Sequence, residues 1–143
     1  MSAAQPWIPY DFAVIRIVPH PHLGTCVPVG VVLHAPTVEF LGIRIVSDAG
    51  ALASRVADVD LEVLVRYLRT LGAIVRGDVD GGPIALGSRS ERFHWLTAPR
   101  SDVIACGPVH SGLCQRAEAT LDDLFRTYVL DANPAPARPA AEP

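Results

Sequence analysis

The sequence lacks the marks of several protein classes, and each absence narrows the reading. Cysteine is scarce: Cys26, Cys106 and Cys114 are scattered, odd in number and never spaced C-x-x-C. That is no disulfide framework, and reduced, mostly buried thiols in a cytoplasmic protein are expected instead. Long apolar runs are missing too. Stretches such as Val27–Leu33 fall far short of the about 20 residues that cross a bilayer. The opening MSAAQPWIPY has neither a basic start nor an apolar run, so no secretory signal is expected. Positive charge is not in excess either. A formal net charge of -3 disfavours nucleic acid as a partner, because dedicated binders carry a basic stripe.

Familiar chemical fingerprints are also absent. No G-x-G-x-x-G or G-x-x-x-x-G-K-[ST] follows an apolar run, so those nucleotide-binding routes have no support. Ser111-Gly112 lacks the flanks of a G-x-S-x-G nucleophile turn. Asp78–Gly82 opens like a calcium loop but has no later ligands and no terminal glutamate, so it reads as a solvated turn. His20, His22 and Cys26 offer an H-x-H pair and a thiol for zinc. However, Pro19 and Pro21 bracket His20 and no fourth ligand follows. Asp122 and Asp123 are neighbours on a helical stretch, too close in sequence to oppose one another as acid and base. Neither a metal nor a cofactor is expected.

What is present is a core. Half of the 143 residues are hydrophobic, enough for one domain. Tyr10–Val18 (YDFAVIRIV) is rich in β-branched and aromatic residues and predicts a strand, which Pro19–Pro21 ends. Val27–His34 predicts a second strand, with Gly30 marking a bulge or a close backbone approach. Ala35–Val38 is a turn around Pro36, and Glu39–Ser47 is a third strand. Short links make an antiparallel meander the natural pairing.

The period then changes. Asp48–Val56 predicts a short helix. Asp60–Arg76 predicts a long one, with Leu61, Leu64, Val65, Leu68, Leu71 and Val75 on one face and Asp60 as N-cap. Asp78–Gly87 is a glycine-rich connection. Phe93–Thr97 and Asp102–Cys106 predict strands on either side of Pro99, and Gly107–Gly112 is turn-rich. Thr120–Leu130 predicts a terminal helix, extended back by Ala117–Ala119, with Leu121, Leu124, Phe125, Tyr128 and Val129 on one face. The expectation is an α+β fold: a mainly antiparallel sheet with two main helices packed on one face. Residues 1–9 form a lead-in, 10–131 one domain, and the Pro/Ala-rich 132–143 a disordered tail.

Polar chemistry concentrates in Ser88–Leu113, SRSERFHWLTAPRSDVIACGPVHSGL. The candidate site residues are Arg89, Arg92, His94, Arg100, Ser101 and His110. Arginine forks hold phosphate or carboxylate, and nearby hydroxyls complete such pockets. On a strand, Arg92 and His94 share one face while Phe93 and Trp95 turn to the core. The competing structural reading has an arginine tying a loop carbonyl or pairing with Glu91 or Asp102. His110, between proline and glycine, suits a rigid turn or a proton carrier, and His94 and His110 could meet across adjacent strands.

The blocks YDFAVIRIVP, VGVVL, EFLGIRI, SERFHWLTAPRS and PVHSGL together resemble the DUF3037 family of bacterial proteins of unknown function, over about Tyr10 to Leu130. Ser90–Ser101 is the specific block. The resemblance implies a gene neighbourhood shared with a HipA-like kinase, and hence that kinase as a possible partner. One departure stands out: where the family reads Glu-Phe-x-Asn-x-Gly, this chain has Thr25, Cys26, Val27, Pro28, Val29 and Gly30. The expected function is that of a non-enzymatic accessory or regulatory protein that binds a protein partner through the Arg/His patch. Two alternatives use the same patch: a phosphate-ester-directed enzyme with His94 and His110 as acid and base, and a nucleic-acid binder.

Overall fold

The computed structural model describes residues 6–18, 26–46, 48–56, 59–98 and 104–131. Strands β1 (Ile8–Ile17), β2 (Val27–Ala35) and β3 (Phe40–Ile45) form the expected antiparallel meander. A 3-10 turn at Pro36–Val38 joins the last two. Helices α1 (Ala49–Arg55) and α2 (Leu61–Arg76) follow, then two 3-10 turns at Val79–Gly81 and Pro83–Leu86. Helix α3 (Arg89–Thr97), strands β4 (Ile104–Cys106) and β5 (His110–Cys114), and helix α4 (Ala117–Phe125) complete the order. Helix α4 runs on through a π-helical turn at Arg126–Leu130.

The sheet order is β3-β2-β1-β4, with β5 also on β1. Strands β4 and β5 share one edge of β1: β4 pairs with Ile15–Ile17 and β5 with Ile8–Phe12. Between them the Gly107 amide donates to the Val14 carbonyl (2.8 Å), so the ladder continues across the break. The α+β class and the antiparallel sheet are as expected. The helices, however, divide between both faces. Phe93 of α3 stacks on His34 of β2, whereas Tyr128, just beyond α4, stacks on Phe12 of β1. Asp11, not Phe12, is the cross-strand partner of His34, so the two contacts lie on opposite sides. The cause is the composition of β2. Of its nine residues only Pro28 is not buried, and a strand apolar on both sides needs cover on both.

Residue type explains the details. Asp60 caps α2 by accepting from the Val63 amide (3.2 Å). Gly77 ends α2 in the left-handed region, at φ 76, which a side chain would resist. The pairing of β1 with β2 slips by one residue, Ile15 facing Gly30 and Arg16 facing Pro28. Gly30 thus sits at a bulge, and a Cβ there would collide with Ile45 and with the Arg44 carbonyl. Both expectations for that glycine hold at once.

Two local expectations are overturned. Phe93–Thr97 is helix, not strand: Ser88 accepts from the Glu91 amide (3.1 Å) while Glu91 accepts from the Ser88 amide (2.8 Å). This reciprocal capping box nucleates α3, and Phe93 and Leu96, three residues apart, bury its apolar side. His110–Cys114 is a strand rather than a turn, because five residues of β1 offer it a ladder that its own sequence does not announce. Strand β1 begins at Ile8, two residues earlier than the expected start at Tyr10. The expected tail at 132–143 lies outside the described residues.

Candidate functional site

Strand β2 carries a histidine through the middle of the fold. His34 is 7% exposed, the only buried polar or charged residue among those described. Among the described residues its imidazole has no hydrogen-bond partner. Its contact is aromatic: the Phe93 ring lies 5.3 Å away, centre to centre, inclined at 33°. Burial lowers its pKa from the ordinary 6.5. The Asp11 carboxylate opposes that shift, while His94 and Arg89 reinforce it.

Three strands set polar groups in a row beneath α3. Asp11 of β1 pairs across to His34 on one side and to Ser111 of β5 on the other. The Ser111 hydroxyl donates to Asp11 Oδ1 (2.5 Å). This is not a nucleophile triad: there the serine must bond the histidine, with the acid behind it. Here the acid stands between the two.

Helix α3 roofs the row. Its capping box directs Ser88, Arg89 and Ser90 over the strand ends, and one turn on come Phe93 and His94. These five residues, with Asp11, His34, Pro36 and Glu39, line an open recess of about 400 Å3. The capping box occupies the amides of Ser88 and Glu91. The amides of Arg89 and Ser90, in the first turn, have no partner within the helix and carry the positive end of its dipole.

The predicted site residues separate. Arg89 and His94 line the recess. Arg92 does not join them, because on a helix residues two apart point to different sides. Its Nη1 donates to the Ala85 carbonyl (3.4 Å) and packs on Gly77 at the end of α2. It is the loop-tying arginine of the structural reading. His110 lies on the opposite face of the sheet, its ring 5.4 Å from Phe12, so His94 and His110 do not meet. Trp95 is 38% exposed rather than in the core. Arg100 and Ser101, like His20 and His22, lie outside the described residues. Cys26 Sγ is 3.9 Å from Arg16 Nη1.

Sequence reasoning missed His34, Asp11 and Ser111. The signal for His34 was available: one histidine within the apolar run VPVGVVLHA. The signal for α3 was the S-x-x-E spacing of Ser88 and Glu91. Ser111 and Asp11 could be joined only through the register of β5 on β1.

No curated protein and no solved structure matches the chain. The model of DUF3037, described as a protein of unknown function, matches residues 12–129, from within β1 through α4, and takes in every residue of the recess except Asp11. The chain therefore belongs to the DUF3037 family.

Proposed function

We propose that this chain is a non-enzymatic accessory or regulatory protein that binds an anionic element of a protein partner, an acidic or phosphorylated segment, in the recess beneath α3. The observation that carries the reading is His34. Its ring is largely buried, yet neither of its nitrogens is among the buried unpaired side-chain atoms, so the nitrogens open on the recess. An anion entering the recess gives the imidazole a partner and favours its protonated form.

The surroundings support the same ligand. Arg89, Ser90 and His94 all line the recess, and helix N-termini favour anions. Asp11 and Glu39 line it too and repel an anion, so it sits toward the α3 end. With His34 neutral, one fixed cation faces two carboxylates; protonation of His34 improves the balance. Affinity for an anion therefore rises as pH falls.

The test is affinity purification of the tagged protein from its native cells, with mass spectrometry of co-eluting proteins, alongside the Arg89→Glu and Arg92→Glu variants. A partner at stoichiometric yield, lost with Arg89→Glu in a folded protein, is the expected result. Through the family resemblance, a HipA-like kinase is the first partner to look for. A partner retained in full by Arg89→Glu would overturn the assignment of this surface.

A further inference from the structure

Every one of the 12 cationic residues counted as Lys or Arg is arginine; lysine is absent. Four of them, Arg44, Arg66, Arg69 and Arg76, line a single groove of about 580 Å3 between α2 and β3. None of these lines the His34 recess. Arg66, Arg69 and Arg76 follow one another at helical spacing, so they form a stripe along α2.

The members of the stripe differ in how firmly they are held. Arg76 pairs with Asp78 (3.0 Å), and Arg44 reaches across to Asp122 (2.8 Å). Arg66 has only Glu62 at 3.8 Å, both side chains well exposed. Arg69 has no ion pair or hydrogen bond among the described residues. Two guanidinium groups, three residues apart, are thus available to a ligand.

Beside them runs an open strand edge. Among the described residues β3 pairs with β2 alone. The Val46 amide donates to the Val29 carbonyl (2.8 Å). Alternation along the antiparallel ladder then turns the backbone groups of Leu41, Ile43 and Ile45 outward. The Ile43 carbonyl accepts from Arg44 Nη1 (3.1 Å), as an outward group would. Edge groups that no neighbouring strand pairs, next to the weakly held Arg66 and the unbonded Arg69, define one kind of ligand.

We infer that this groove takes an extended acidic segment of another protein, which adds as a strand to the open edge of β3 and sets carboxylates against Arg66 and Arg69. Main-chain hydrogen bonds supply affinity in such strand addition, and alternate side chains supply specificity. Arginine forks match carboxylates bidentately. A second copy of this chain fits badly, because pairing two β3 edges about a two-fold axis would bring like-charged stripes together. Nucleic acid fits less well than a peptide. No aromatic ring lines the groove for base stacking.

The test uses the full chain and a fluorescein-labelled peptide of alternating Glu and Val, about eight residues long to match a typical strand. Fluorescence anisotropy should show salt-sensitive binding, weakened about tenfold or more by Arg66→Glu/Arg69→Glu. That variant should melt normally, since both positions are exposed. Hydrogen exchange should slow at Leu41, Ile43 and Ile45 when peptide is present. Arg89→Glu should leave the peptide-induced protection of β3 unchanged, which separates this groove from the recess. No binding, unchanged binding by the double variant, no protection at β3, or tighter binding of a single-stranded oligonucleotide would each overturn the inference.

Discussion

Two histidines flank the same strand, and the fold treats them in opposite ways. His34 on β2 and His110 on β5 pair across to neighbouring residues of β1, Asp11 and Phe12. One residue of difference sends them to opposite faces. His110 is exposed, with its ring against Phe12, so water satisfies its nitrogens and nothing about it requires a ligand. His34 is buried under Phe93, fronted by Asp11, Arg89 and His94, and has no hydrogen-bond partner. The recognisable motif PVHSG drew attention to the first. The second is where a largely buried ring turns its nitrogens into an opening lined by charged groups, and that distinction marks a site better than local sequence does.

The comparison can be broken in graded ways. The largest effect should come from Phe93→Ala, which removes the ring over His34. Urea unfolding should show a loss of about 3 kcal/mol, and anion affinity should fall with it. A comparable loss of anion affinity with unchanged stability would mean that Phe93 touches the ligand rather than roofing the recess.

His34→Leu should separate function from stability. Because the imidazole nitrogens open on the recess, replacing the ring with an apolar side chain of similar size should change stability by no more than about 1 kcal/mol, while anion binding disappears. His110→Leu should change neither by much. A destabilised His34→Leu would show that the imidazole holds the fold together, and the binding argument would fail.

The two arginines of α3 make a parallel pair. Arg92→Ala should cost about 1 kcal/mol of stability, having lost the Ala85 carbonyl, and leave anion affinity intact. Arg89→Ala should do the reverse. Removing the cap with Ser88→Ala should cost about 1 kcal/mol and loosen the same recess from its floor upward.

The smallest effect concerns pH. Burial holds the His34 pKa below 6.5. Above that value neither the folded nor the unfolded chain is charged at this position. Below it the unfolded chain takes up a proton first. Stability should therefore fall as pH drops from about 6.5 toward the lowered folded value. This slope should be missing in His34→Leu and present in His110→Leu, as followed by thermal melts at several pH values.

How far the residues alone announce this molecule depends on what sets each element. The meander and α2 are set locally, by β-branched runs, proline stops, Asp60 and helical spacing, and they stand as read. Helix α3 was also locally encoded, by Ser88 and Glu91, but its aromatic content read as strand. Strand β5 was not local at all: Pro108, Gly107 and Gly112 argue for turns, and only the offered edge of β1 makes it extend. The site inherits that history. Arg89 and His94 were legible as chemistry, whereas their partnership with His34 and Asp11 depends on which face each strand residue takes. Register decides that, and no local pattern does. The double-sided burial of β2, and with it the helices on both faces, was written in its unbroken apolar run.

The most direct measurement is a titration of the full chain with inorganic phosphate at pH about 6, where imidazoles respond, followed by NMR of the histidine rings and arginine side chains. The ring signals of His34 and the guanidinium signal of Arg89 should move together and saturate, while His110 and Arg92 stay in place. Equal movement at His34 and His110, or none at His34, would contradict an anion site built around the buried histidine.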